Sequence, residues 1–443
     1  MHRRRFLAGS VAAGGALALG PTFWHRAYAA PAQPGPSPYG ALGAPDANGF
    51  RLPAGFRSEV VARSGLPVPL ADPASLTVPY IWHPFPDGSG IVPLPDGGYA
   101  YACNSEVFSP AGAGASAIRF NKEGRVVDAY RILAGTSANC AGGVTPWGTW
   151  LSCEEQPLGQ VYECRVDGPG NGEVRPALGT FSHEAAVVDP NGKRLYMTED
   201  DLIDGGGGYY RFVPDAYPNL SSGRLEAATL PNGPGKVTWV PIDTTRPVAA
   251  NIPNSQGRPA STDQFAGAEG AFYDEGHVYF TTKSNDRVWD HNIARNTITV
   301  LYDADDFTSP PLTGVDNLVV SGANEIFVCE DGGDMQLVVI TPDNVVAPFL
   351  QLVGQDESEL SGAAFDPSGT RLYLNSDRGG QFLGTPFDTS LLAAAEQEFG
   401  NPRKGGPGPG ITYVVIGPFR RVPSSVKPGK GGAKPGNGGP RTR

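Results

Sequence analysis

This 443-residue chain lacks most of what a helical or membrane-embedded protein requires. No segment beyond the first 30 residues approaches 18 consecutive apolar side chains, so none reads as a membrane-spanning helix. Few stretches hold a helical period; residues 389–399 are the best. Positive charge is also short. The formal net charge is −11, which disfavours nucleic acid as a partner and is compatible with multivalent cations. There are five cysteines, Cys103, Cys140, Cys153, Cys164 and Cys329. An odd number leaves at least one without a partner in the chain, and metal ligation is one use for it. Acids are missing from both ends. Residues 1–29 carry Arg3, Arg4, Arg5 and Arg26 and no carboxylate, and residues 422–443 carry five Lys or Arg and no carboxylate.

The two ends have different readings. Arg3, Arg4, Phe6 and Leu7 precede a short Gly/Ala-rich apolar run and the small-x-small site Ala27-Tyr28-Ala29. This fits a twin-arginine export signal over 1–29, with an ordinary secretory signal as the alternative. Its removal takes the formal charge to −15 and implies a secreted or periplasmic protein that uses the twin-arginine machinery. Residues 30–50 read as an extended segment and 422–443 as a disordered Gly/Pro-rich basic tail.

What the chain has in quantity is turn and strand. It contains 60 Gly and 43 Pro, and strand-like runs recur over 51–421. That is too long for a simple sandwich and fits one all-β propeller of six blades, read as a monomer. A repeat supports this. Residues 189–200 read D-P-N-G-K-R-L-Y-M-T-E-D and 366–377 read D-P-S-G-T-R-L-Y-L-N-S-D, with weaker copies at 274–282 and 321–331. Counting five back from each turn reaches Glu184, Glu269, Asp316 and Ser361, with Glu359 two residues before the last. Equivalent positions on innermost strands converge on a propeller's channel. A ring of acids there calls for cations, and hard cations such as calcium take six to eight oxygens. The alternative is a solvated rim of turn-capping acids.

The densest motif is N-C-A-G-G-V-T-P-W-G-T-W-L-S-C-E-E at 139–155. It combines the thiols of Cys140 and Cys153 with Glu154 and Glu155. Strand alternation puts Cys153 and Glu155 on one face and Glu154 on the other. A Cys140–Cys153 disulfide is the alternative reading. The string resembles the signature of the PhoX-type alkaline phosphatases. Asn104-Ser105-Glu106, His183-Glu184, Thr198-Glu199-Asp200, Tyr210-Arg211-Phe212, Ala268-Glu269-Gly270, Asp316-Asn317 and 359–362 resemble further family segments in the same order.

The resemblance implies a six-bladed propeller with a mixed Fe(3+)–Ca(2+) centre in its channel and hydrolysis of phosphate monoesters outside the cytoplasm. It makes Cys140 or Cys153 the iron thiolate. It offers Glu106, Glu154, Glu155, Glu184, Glu199, Glu269, Asp316 and Glu359 as metal ligands, and Asn139, Glu269 and Arg211 as catalytic candidates. One position departs. Where the family's phosphate-binding arginine is expected, this chain has Gly267. The resemblance therefore leaves three readings: an active phosphatase, a metal-binding propeller with little turnover, and a calcium-dependent lactonase-like hydrolase. Arg211, Lys283, Arg287 or Arg378 could replace the missing guanidinium, and Gly267→Arg is expected to raise turnover in an intact pocket.

Overall fold

The computed structural model describes residues 31–72, 79–110, 112–201, 206–244, 260–262, 264–380 and 408–421. The export signal, the basic tail and the helical reading of 389–399 lie outside the described residues. No helix among the described residues is long and apolar enough to cross a membrane.

The described residues form six sheets, each a meander that starts on an inner strand and runs outward. The inner strands are Pro86–Pro93, Asn139–Val144, His183–Asp189, Ala268–Asp274, Val315–Val320 and Leu360–Phe365. Each pairs with a second strand: Tyr99–Ser105, Thr149–Glu154, Arg194–Asp201, His277–Thr282, Ile326–Glu330 and Arg371–Ser376. The expected six-bladed propeller is what the chain forms. The sixth blade borrows its outer strand, Arg57–Arg63, from the N-terminal side of the chain, where it pairs with Ile411–Ile416. That closure covers a strand edge that would otherwise be open. Residues 33–34 and 50–51 add to Val345–Leu352 in the fifth blade, so the segment read only as extended contributes strand pairing.

Apolar side chains pack between blades, as the alternating strands require. Trp82, Tyr101, Tyr373 and Val414 fill one such layer, and Phe327, Phe349, Leu372 and Tyr413 another. The channel itself is set by small residues. The register of all six inner strands shifts near their start, between the first and fourth residues in five and between the second and fifth in the sixth. These bulges aim side chains off the regular pleat. At the bulges neighbouring inner strands nearly touch. A Cβ on Gly88 would lie 2.4 Å from Ala141 Cα, and one on Gly270 would lie 2.5 Å from Asn317 Cα.

Blade-to-blade hydrogen bonds lock that approach. The second-strand residue opposite each bulge faces the next blade. Asn104 Nδ2 donates to Cys140 O and Ala141 O at 2.9 and 2.6 Å. Thr198 Oγ1 donates to Glu269 O, Thr281 Oγ1 to Asp316 O and Asn375 Nδ2 to Asp87 O, at 2.5–2.6 Å. Buried carbonyls at a bulge need such partners, and here the preceding blade supplies them. Gly88→Ala should therefore cost about 1–3 kcal/mol of stability, because backbone rather than a flexible side chain stands in the way. Denaturant unfolding checks this; an unchanged midpoint would contradict the close approach.

Candidate metal centre

The second residue of each inner strand forms one ring: Asp87, Cys140, Glu184, Glu269, Asp316 and Ser361. In five blades the residue just past the end of the second strand, and in the third blade a residue near its end, forms another. Backbone hydrogen bonds place it: Glu106 N to Phe85 O, Glu155 N to Ala138 O, Lys283 N to Gly267 O, Asp331 N to Gly314 O and Asp377 N to Glu359 O. The register His183↔Glu199 puts Asp200 at the same position in the third blade. Twelve positions, two per blade, thus carry nine carboxylates, one thiol, one hydroxyl and one ammonium. Glu359, just before the sixth inner strand, joins them.

Most of these groups are buried, with Asp200, Lys283 and Asp331 partly exposed, and the burial of Glu184, Glu269, Asp316 and Glu359 removes the solvated-rim alternative. Asp87, Glu184, Glu269, Asp316 and Asp377 are each at most 4% exposed. Ligand atoms of Glu106, Cys140 and Glu155 lie within 4.8 Å of one another, and so do those of Asp87, Glu106 and Glu359. Two cations stand among them. Lys283 Nζ is 2.8 Å from Glu269 Oε1 and 3.3 Å from Asp331 Oδ2, the first contact an ion pair without hydrogen-bond geometry. Arg378 bridges Glu106 Oε2 and Glu359 Oε2 at 2.9 and 2.8 Å and approaches Asp377 at 3.6 Å.

Two arginine and lysine charges do not balance this set. Both carboxylate oxygens of Asp87, Glu184 and Asp377 are buried without any hydrogen-bond partner. Burial is the leading cause that pushes the carboxyls of Asp87, Glu184 and Asp316 well up, and their mutual repulsion adds to it. Glu269 is pushed up to about 7, chiefly by burial, with Lys283 pulling it back. Burial also raises the Cys140 thiol, and Asp87, Glu184, Glu155 and Glu106 raise it further. Oxygens and a thiol that cannot ionise alone, held within 4.8 Å, are the donor set of a multivalent cation site. Further along the same strands, toward the hairpin turns, the channel widens into a cavity of about 490 Å³ with Ile91, Val144, Val187, Phe272 and Leu318 in its wall. Ser89, Thr145, Tyr273 and Asn317 also line it, but no carboxylate or thiol does, so those donors are confined to the ring end.

The structure brings together Glu106, Cys140, Glu155, Glu184, Glu269, Asp316 and Glu359. It separates the remaining candidates. All five cysteines are free, so the Cys140–Cys153 disulfide does not form. Cys153 lies instead in an apolar layer with Leu151, Val161 and Phe181, opposite the bulge of its own blade. Cys329 holds the same register in the fifth blade. Glu154 turns away from the channel and accepts the backbone N–H groups of Ser137 and Gln160. Glu199 accepts the Tyr210 hydroxyl at 2.5 Å. Asn139 is held by Thr136 and Ser152. Arg211 pairs with Glu226 and stacks on Trp239, out on the third strand of its blade. Gly267 has φ +62°, and a Cβ there would lie 2.9 Å from Ser284 N. An arginine cannot simply be restored at that position, so the expected gain from Gly267→Arg is withdrawn.

Sequence reasoning missed Asp87, Asp331 and Asp377; Arg378, named there as a substitute phosphate clamp, is instead paired with Glu106 and Glu359. Asp87 escaped the five-residue count because the first blade's inner strand runs two residues longer before its turn, which Leu94 starts. Asp377 was within reach, since Asp200 and Asp377 are the last matching pair of the 12-residue repeat.

The raised carboxyls set a pH dependence. With no cation bound, the folded chain holds protons on the ring that the unfolded chain releases, so stability falls as pH rises from the ordinary carboxylate range through about 7 for Glu269. Chelator-treated protein should melt at a lower temperature at about pH 8 than at about pH 5, and calcium chloride should restore much of the loss at the higher pH. Melting that is flat in pH and indifferent to calcium would contradict the cluster.

Comparison with known proteins agrees with the architecture. The sequence model of one family, described as alkaline phosphatase PhoX, matches residues 102–167 and 159–303. No curated protein matches. Among solved structures, Pseudomonas fluorescens PhoX in complex with vanadate, a transition state analogue, is 16% identical. That alignment covers 87% of this chain and 98% of that one, at a TM-score of 0.63. A gluconolactonase from Xanthomonas campestris is 12% identical over 86% of this chain and 99% of its own, at a TM-score of 0.46. The family match over residues 102–303 and the shared propeller make this chain similar to the PhoX-type alkaline phosphatases.

Proposed function

We propose that this protein is an exported, metal-dependent phosphomonoesterase whose chemistry is done in the ring. The observation that carries the reading is the convergence of the Cys140 thiol with the carboxylates of Glu106 and Glu155. A thiol beside hard oxygens suits an iron ion on that side, and the remaining carboxylates suit calcium. Bound multivalent cations would neutralise phosphoryl oxygens and ready a water-derived nucleophile for in-line attack. The chain's own part is positional. Asn104 fixes the Cys140 bulge through two carbonyls while its own Oδ1 accepts from Trp150 and Ser152. Asn375 does the same for Asp87, its Oδ1 accepting from Tyr101 and Thr412. Such outer contacts hold ligating atoms in place. The N-terminal arginine pair supports export, and the free, buried thiols are compatible with folding before export.

A second reading keeps the metals and lowers the turnover. It is favoured by Gly267, which leaves no side chain to clamp a phosphate, and by Arg211, whose guanidinium is committed to Glu226. Hydrolysis of a chromogenic phosphomonoester by iron- and calcium-loaded protein separates the two, since measurable turnover supports the first and metal content without turnover supports the second.

The two thiols should behave differently. Cys140→Ala is expected to lose iron by elemental analysis and to lower any phosphoesterase activity by about 100-fold or more. Cys153→Ala should retain both, losing only a little stability through the small void it leaves. Iron lost from Cys153→Ala but kept by Cys140→Ala would overturn the assignment.

A further inference from the structure

The outer ring departs from its own pattern at one place. Glu106, Glu155, Asp200, Asp331 and Asp377 are carboxylates, and the fourth blade has Lys283 at the equivalent position. Its backbone is held as theirs is, with the N–H donating to the residue that precedes the inner strand, here Gly267 O at 2.6 Å. The side chain therefore enters the ring by register. Its Nζ stands between an inner-ring acid and the outer-ring acid of the next blade, Glu269 and Asp331. The turn that carries it is tight, because a Cβ at Gly267 would lie 2.7 Å from Ser284 Oγ and 2.9 Å from Ser284 N.

Resting on the reading of the ring as a metal centre, we propose that Lys283 is a tethered cation that fills one cation position of the ring. Multivalent ions then load on the side of Asp87, Glu106, Cys140 and Glu155, and are kept out of the gap between Glu269 and Asp331. An ammonium on a four-carbon stem is a compact point charge. It supplies one positive charge between two carboxylates, needs no uptake from solution and cannot exchange. Like charges so close would otherwise repel or retain protons. The ring is thus divided into an exchangeable part and a permanently neutralised part, and Lys283 sets how many ions the centre takes.

Calcium titration of the full, chelator-stripped chain tests this, by calorimetry or equilibrium dialysis. Lys283→Glu continues the carboxylate pattern and should bind about one more calcium per chain than the wild type, at a carboxylate-lined position. Lys283→Gln leaves the two acids without a counter-charge and should gain the same ion more weakly. Melting with and without calcium chloride covers the case of a poorly folded variant: Lys283→Glu should melt lower in chelator, and calcium should raise it by more than it raises the wild type. Wild-type stoichiometry in both variants, or a destabilised Lys283→Glu that calcium does not restore, overturns the proposal. If the wild type binds calcium and Lys283→Glu binds the same number, Lys283 alone loses its role. If the wild type binds none, the metal-centre reading falls, and the proposal with it.

Discussion

Mutual repulsion among buried carboxylates is the constraint on which this molecule turns. Six inner strands deliver their second residues to one channel, and the ends of six second strands deliver one residue each to the same place. Nine of those twelve positions are acids, against two cations, Lys283 and Arg378, at the ring among the described residues. Unpaired buried charge is costly enough that such a set either keeps protons or gathers cations. The orphaned oxygens of Asp87 and Glu184 show where compensation from within the described protein stops.

The rest of the fold is arranged to hold that repulsive set at short range. Glycines at 88 and 270 let neighbouring inner strands meet backbone to backbone. Asn104, Thr198, Thr281 and Asn375 tie four of the six bulges to a neighbouring blade. The Arg57–Arg63 strand closes the ring of blades, so repulsion at the centre cannot be relieved by opening an edge. A site held by its scaffold in this way is preorganised: ligands stand near their working positions before any ion arrives.

Much of this was legible in the sequence. The hairpin repeat exposed Glu184, Glu269 and Asp316, and the 139–155 string exposed Cys140 and Glu155. What failed did so for identifiable reasons. Cys153 and Glu154 lie in that string, and Glu199 in the repeat, but none of the three reaches the ring. A strand end places alternate residues on opposite faces, and the bulge on the partner strand decides which face meets the channel. Spacing could not reveal that Cys153 lies opposite a bulge, where Asn104, Thr198, Thr281 and Asn375 make blade-to-blade contacts. Asp87 was hidden by a strand two residues longer than the repeat. Lys283 was visible as a residue, yet only the register showed that it stands where every other blade has an acid.

The central claim is that the inner and outer rings together form one cation centre with Cys140 at its soft edge. A crystal of the metal-loaded protein, measured at the iron absorption edge, addresses it most directly. The account predicts an anomalous peak at bonding distance from Cys140 Sγ, with carboxylate oxygens of Glu106 or Glu155 completing the contact. A peak beside Cys153, or a loaded protein with no anomalous scatterer in the channel, would contradict it.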